Sequence, residues 1–382
     1  MNYKDITLDE IRQMLNENER DRQFGVAVTT QPNNPELHPI NQGFTTKNVV
    51  REMMMDQYND GWLLQYPEPV GVVIQQPRRT YFYRGESELY PTTMSSLGRV
   101  LNDIKTEEGK RVEVLVADVK CYQFVQLIHP MENVRAFEEL GVNVQYQAIA
   151  QHYGFKTFLV DVTSDFEVAL FFACCKFRNG QWYPLTESDT ESREEKKYGL
   201  IFRRAVSPYS MMDNDDHPIF PIGYQPFIRC SNQTGFTLPL GEGEDLKTMQ
   251  LPGLHILRFR HNPELSQWVY DKMEGGNKIY SKSDVLTTIE DKLDAFVKSK
   301  VIDETALYDV LQQIEDYKSH SLEEWKRMIA GSGYTIGTNP LALTPEEETK
   351  IRQQLKGFDI QQFYGVKIHY RMMYNGPTKI VD

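Results

Sequence analysis

Residues 147–172 read QAIAQHYGFKTFLVDVTSDFEVALFF and describe a helix, a strand and a second helix joined by short turns. Val144 to Tyr153 fits a helix, with Gly154 just past its end, where a left-handed residue closes the last turn. Thr157 to Val162 is β-branched and aromatic, which predicts a strand. Its alternation puts Leu159, Asp161 and Thr163 on one face and Phe158, Val160 and Val162 on the other. Ser164 with Glu167 reads as a capping box. The helix it opens, Phe166 to Phe177, is apolar on nearly every side, as a buried helix must be. A strand running into a helix is where free N–H groups and side-chain donors converge on small anionic ligands. His152, Asp161 and Thr163 all fall at this junction.

A second strand, Arg78 to Gly85, brings a guanidinium to the same neighbourhood. Thr80, Phe82 and Arg84 alternate with Tyr81 and Tyr83, and Arg84 stands at the carboxyl end, before Gly85. Elsewhere Thr7 and Glu10 form a capping box opening a helix from Leu8 to about Asn18. Residues 24–43 are Pro- and Asn-rich and read as a loop, Thr46 to Tyr58 as a helix, and Gly71 to Ile74 as a short strand. Helices are predicted at Thr92–Leu101, Val112–Ile128 and Met131–Leu140. The polar stretch Gln181–Lys197 reads as an exposed loop and Pro208–Tyr224 as irregular. Further strands are expected at Gly199–Arg203, Gln225–Arg229 and Leu254–Phe259. After Glu264 the pattern turns helical: Glu264–Met273, Lys282–Lys300 and Glu304–Ala330. Gly331–Pro340 breaks it, and Thr344 caps a last helix with Pro345 at its first position.

Composition narrows the function classes. The net charge of -12 over 382 residues leaves no general field to neutralise phosphates, which argues against nucleic acid as a partner. A mean hydropathy of -0.52 and the lack of any apolar run near the ~20 residues a bilayer crossing needs argue against a membrane protein. The amino terminus, MNYKDITLDEIRQML, lacks the pattern of a secretory signal, so a cytoplasmic location is expected. Cys121, Cys174, Cys175 and Cys230 have no metal-type spacing, and the adjacent pair in an apolar helix reads as core. No structural metal is expected. HEXXH, P-loop and GXSXG signatures are absent.

Each polar residue at the junction has two readings. Arg84 suits a phosphate, which it can hold with two parallel hydrogen bonds, while Gly85 lets backbone approach a ligand. Alternatively Arg84 pairs with a buried carboxylate such as Asp161. Asp161 itself must be paired or hydrogen-bonded in so apolar a strand. It could accept from the following helix, orient His152 or bind a ribose hydroxyl. Thr163 could be a ligand contact or only a cap. His152, beside Gln151 in the last turn of its helix, is favourable there electrostatically, and a pocket role would need Asp161 as partner. Arg229 and Gln233 form a further polar pair before Gly235 and Phe236.

Together these blocks resemble the FRG domain. Tyr83-Arg84-Gly85 with Leu89-Tyr90-Pro91-Thr92 and Arg99 is similar to its opening. Ala150-Gln151-His152-Tyr153-Gly154, Thr157, Leu159, Asp161, Thr163 and Val168 to Ala173 are similar to its central block. Arg229, Gln233, Gly235 and Phe236 are similar to its third. The family carries Phe, Gln, Arg and Trp where this chain has Tyr83, Glu86, Phe158 and Val162, and Phe158 would remove a charge from the pocket. The resemblance implies an α+β fold: a mixed-sheet FRG-type core over 78–300, helical N-terminal additions over 1–77, and a helical C-terminal extension over 301–382. The family occurs in bacterial and phage proteins, beside defence or toxin modules.

The same three blocks bear a more distant resemblance to ADP-ribosyltransferases. That implies NAD as substrate rather than as a tightly bound cofactor. Arg84 and Gly85 would clasp it, with Gln151 and Arg229 beside them. Thr163 would take the hydroxyl role on the second strand, Gln233 would stand where those enzymes carry a Glu, and His152 and Asp161 would organise the pocket. A neutral amide at 233 cannot stabilise positive charge as a carboxylate does, so Asp161 or Glu86 would have to substitute. Two functions therefore stand open: an NAD-consuming enzyme with a protein target or water as acceptor, or a non-catalytic module sensing a nucleotide or a phage protein.

Overall fold

The computed structural model describes residues 3–23, 25–26, 62–63, 73–74, 76–77, 81–139, 144–205, 217, 219–222, 225–358, 370–371 and 380–381. Most of the expected loop at 24–43, the helix at 46–58 and most of 208–224 lie outside them; of the loop, Gly25–Val26 is described and is extended, paired with Gln76–Pro77. The start of the strand expected at 71–74 also lies outside them, and its residues 73–74 are extended.

Strands spread from Lys4 to Arg260 build one sheet. They are β1 (Lys4–Asp5), β2 (Tyr81–Glu86), β3 (Leu159–Thr163), β6 (Tyr198–Ala205), β7 (Phe220–Pro221), β8 (Gly235–Pro239) and β9 (Leu254–Arg260). β4 (Cys175–Arg178) and β5 (Gln181–Pro184) form a separate hairpin. The sheet order is β1-β9-β6-β2-β3-β8-β7, antiparallel throughout except for the parallel β1–β9 edge. The fold is a mixed α+β fold, as expected, and the amino-terminal segment adds an edge strand to the sheet itself.

Both faces of the sheet are covered, so its strands are apolar on both sides. On one face Ile201, Leu257 and Phe259 pack with Phe166, Ala169 and Phe171 of α6 (Phe166–Cys174) and with Ile11 and Met14 of α1 (Leu8–Gln23). On the other, Phe82, Val160, Val162, Phe202 and Phe236 pack with Leu240 and Leu246. The helix α3 (Glu107–Ile128) divides its buried residues between two helical clusters. Cys121, Phe124 and Ile128 meet α4 (Glu132–Glu139), α5 (Tyr146–His152), α9 (Glu290–Lys298) and α12 (Pro345–Leu355). Val112, Leu115 and Val119 meet Leu307 and Val310 of α10 (Glu304–Gln313) and Trp325 and Ile329 of α11 (Leu322–Gly331).

The caps at Thr7 and Thr344 form as expected: Thr7 and Glu10 exchange backbone-to-side-chain bonds at 2.8 and 3.2 Å, and Thr344 and Glu347 do the same. Other boundaries move for identifiable reasons. Helix α2 (Ser96–Asp103) starts four residues later than predicted, because Thr93 is drawn off to Asp245 and Glu86 and Ser95 serves as cap. The cap of α6 is Asp165, not Ser164: its Oδ1 accepts from Glu167 N at 3.0 Å, while Asn18 of α1 bonds both Asp165 and Phe166 N. That helix ends at Cys174, where the chain turns extended into β4. The hairpin turns at Asn179-Gly180, both with positive φ, which is the Asn-Gly signature of a two-residue hairpin. Residues 181–197 are thus a strand and two short helical turns rather than a loop.

Residues expected as a strand at 225–229 instead lead into the helical turn α7 (Ile228–Asn232), and the strand follows as β8. The long helix expected at 304–330 is two helices. Ile314 is extended, and Ser321 and Glu324 form a fresh capping box for α11. Likewise Asp284 caps a tight turn, so α9 begins only at Glu290.

At the end of β9, His261 Nε2 lies 2.9 Å from Ser87 O, and burial pushes its pKa down to about 4 from 6.5. A histidine neutral when folded but protonated when unfolded contributes stability that is complete above pH 6.5. That stability drains away as pH falls from 6.5 to about 4. We expect urea unfolding to show a loss of roughly 3 kcal/mol at most across this window. The variant His261→Gln should show a shallower loss. Parallel profiles for the two proteins would refute it.

Candidate functional site

Strands β2 and β3 are joined at a single register pair, Tyr83 opposite Thr163. Beyond it they part, and the sheet opens into a cavity of about 260 Å³. Tyr83, Arg84, Gly85, Asp161, Val162 and Thr163 come from the parting strands. Gln151 and His152 come from the last turn of α5, Val168, Ala169 and Phe172 from α6, and Gln233 and Gly235 from the approach to β8. Tyr280 comes from the segment after α8 (Pro263–Lys272).

Arg84 spans the split. Its Nη1 donates to the backbone oxygen of Asp161 at 3.0 Å, taking the place of a ladder hydrogen bond the divergent strands cannot make. Its Nε lies 3.6 Å from Glu86 Oε1 without forming a hydrogen bond. The side chain is 25% exposed, enough to meet a ligand. Glu86 does not line the cavity. It is buried behind Arg84, accepting from Thr93 Oγ1 at 2.9 Å and paired with the buried Lys247 at 3.4 Å. It is therefore not available to replace a catalytic carboxylate.

Asp161 faces the cavity, 38% exposed, and its carboxylate accepts from the Gln151 amide rather than from Arg84. Gln151 in turn accepts from Thr157. His152 Nε2 is 3.7 Å from Asp161 Oδ1 in a side chain only 2% exposed. Burial lowers the His152 pKa, outweighing the opposing pull of Asp161, so the ring is neutral at physiological pH. Thr163 Oγ1 donates to Gln233 O at 2.7 Å and accepts from Asp165 N at 3.0 Å. Its hydroxyl latches the third block onto β3.

Gly85 lines the cavity and also packs closely on α6: a Cβ there would lie 1.8 Å from Ala169 O. Two expectations are corrected. Arg229 does not line the cavity; it braces the wall from behind. Its Nη1 donates to His152 O at 2.9 Å and its Nη2 pairs with Glu290 at 2.8 Å, while its guanidinium lies 4.6 Å from the Tyr153 ring centre and 5.2 Å from that of Tyr280. Phe158 packs against Leu97, Leu101 and Ala117 and does not line the cavity, so an Arg missing at that position removes no charge from it.

The sequence reading did not find Tyr280, Phe172, Val168 or Ala169 as lining residues. Phe172 carried a signal, since it lies in the helix following the Asp161 strand. Tyr280 carried none: it lies over a hundred residues from the junction, and burial pushes its pKa up to about 12. All four cysteines are buried, and burial pushes the Cys174 thiol up to about 12, so they are inert core groups. Among the described residues no cluster of side chains could hold a metal ion, and no helix is long and apolar enough to cross a membrane.

A sheet parted beside Arg84, with a buried helix behind it, is the frame on which these sequence blocks sit. The family model of the FRG domain matches residues 79–181, from β2 through α6 into the hairpin. The chain is an FRG domain-containing protein. No curated protein and no solved structure matches it.

Proposed function

We propose that the cavity binds NAD or a related nucleotide and that the protein acts as an ADP-ribosyltransferase-like enzyme, the setting implied by its FRG blocks being a phage-defence or toxin effector. The observation that carries this is the convergence of three sequence blocks on one cavity whose lining includes a guanidinium with a single hydrogen bond made. Arg84 would grip the pyrophosphate, since two parallel N–H donors match two phosphate oxygens. A cavity of about 260 Å³ is just below the ~300–1,000 Å³ of pockets that enclose whole ligands, so it suits one end of a dinucleotide. Among the described residues Asp161 is the one carboxylate lining it. As the ribose–nicotinamide bond breaks, nicotinamide leaves with the bonding electrons and the sugar becomes cationic. Asp161 would stabilise that charge until water or a target nucleophile attacks the same carbon.

The test is nicotinamide release from NAD by the purified chain. Release should fall roughly 10²–10³-fold in Asp161→Asn, the loss typical of a removed transition-state electrostatic contact. A silent wild-type protein would rule out catalysis. A second reading, binding without turnover, is favoured by Gln233, whose amide is neutral where an enzyme of this kind needs charge. It predicts stabilisation against heat by NAD, about 2.7 kcal/mol at a hundred times Kd, with no product.

A further inference from the structure

Arg84 has a competitor for its charge inside the protein. Glu86, two residues along β2 and buried, holds its Oε1 3.6 Å from Arg84 Nε, a buried nitrogen with no hydrogen-bond acceptor. A charge-assisted N–H···O bond is about 2.7–2.9 Å long, so a shift of about 1 Å would close this pair. Two groups hold the carboxylate back. Thr93 Oγ1 donates to Glu86 Oε1 at 2.9 Å, and Lys247 Nζ lies 3.4 Å from Glu86 Oε2 in a side chain 0% exposed. The fold fixes that lysine in place: Leu246 N donates to Thr93 O at 2.9 Å, and Asp245 Oδ1 accepts from Thr93 N at 2.8 Å and from Lys247 N at 3.0 Å. Lys247 Nζ also donates to Tyr90 O. Arg99, whose charge also feels Arg84 and Glu86, turns its Nη1 to Met94 O at 2.8 Å. A lysine is almost never fully buried unless paired, yet a buried ion pair is weak evidence for stability, since apolar side chains of similar volume often serve as well. The position of this pair, against the buried side of the guanidinium that opens to the cavity, gives it another use.

We infer that Lys247 is a positioning residue for Arg84: as the counter-charge to Glu86 it keeps that carboxylate from engaging Arg84 Nε, and the guanidinium keeps its charge for an anion in the cavity. The inference rests on the reading of Arg84 as a phosphate contact and adds what keeps that contact competent. Together Arg84, Glu86 and Lys247 leave one positive charge facing the ligand; without the lysine they leave none, and an anion meets a neutral pair. Lys247 acts only through its neighbours, since it does not line the cavity. It also lies outside the residues that match the FRG model, so the chain beyond that match sets the charge of the site.

Calorimetric titration of the full chain with inorganic pyrophosphate is the test. Lys247→Met should bind roughly tenfold more weakly than wild type, the worth of one hydrogen bond to a charged group. Glu86→Gln should bind at least as tightly as wild type, because the competitor is gone and the lysine remains. The double variant, Lys247→Met with Glu86→Gln, should return to within roughly twofold of wild type, a rescue that a merely structural lysine does not give. If Lys247→Met alone fails to fold, the other two variants decide, since neither leaves a buried carboxylate unpaired. Weaker binding by Glu86→Gln, or a double variant that binds tenfold more weakly than wild type, would overturn the inference. So would equal affinity in wild type and Lys247→Met, with the phosphate role of Arg84 left standing. If wild type binds no pyrophosphate, the phosphate reading falls and the inference falls with it.

Discussion

Arg84→Ala is expected to weaken NAD binding about 100-fold while leaving the protein folded. Two charge-assisted hydrogen bonds to a pyrophosphate are worth about 1.5 kcal/mol or more each, so losing both costs about 3 kcal/mol or two orders of magnitude in Kd. The structural cost is smaller. Among the described residues the guanidinium makes one hydrogen bond, from Nη1 to Asp161 O, whose loss costs about 1 kcal/mol, and the buried Glu86 that also faces its Nε at 3.6 Å stays paired with Lys247. Arg84→Lys should recover only part of the affinity, because an ammonium cannot bridge the parted strands and hold two phosphate oxygens at once. Calorimetric titration reads the affinity and urea unfolding reads the stability. Equal affinity in wild type and Arg84→Ala would remove the basis for a phosphate at this end of the cavity.

The neighbouring glycine should behave in the opposite way. Gly85→Ala is expected to destabilise the unliganded protein by about 3 kcal/mol or more, at or beyond the top of the usual range for overpacking. The added Cβ would meet Ala169 O at 1.8 Å, Ala169 C at 2.8 Å and Ala173 N at 2.9 Å, all backbone atoms of α6. That helix cannot retreat, since Phe166, Leu170 and Phe171 are fully buried on its other sides. A domain stable by about 5–15 kcal/mol loses a large share of its margin to such a clash. Urea unfolding without ligand is the measurement. A wild-type midpoint for Gly85→Ala would show that the close packing is not what requires glycine there.

The two substitutions show which parts of the site were legible. Alternation along 157–163 placed Asp161 and Thr163 on one face and Val160 and Val162 on the other, and the strand obeys it: Asp161 and Thr163 line the cavity, while Val160 and Val162 join the core cluster on the far face of the sheet, Val162 also reaching the cavity where the strands part. That rule needs only the two-residue repeat of a strand, so it survives any tertiary context. The Asn179-Gly180 turn was equally local and was passed over, because the apolar run before it mimics a continuing helix. Asp165 displaced Ser164 as cap because Asn18, nearly 150 residues away, holds it in place. Arg229 became a brace rather than a ligand contact because Glu290 and the two tyrosine rings surround it.

Local order in the chain was enough to establish which segments extend, which coil and which polar side chains share a strand face, since those properties repeat every two or four residues. The separation of β2 from β3, the arrival of Tyr280 at the cavity, and the reason residue 85 has no side chain could not be read that way. Each depends on where a segment from elsewhere in the chain comes to rest, and that is settled by how the whole sheet and its helices exclude water and fill space.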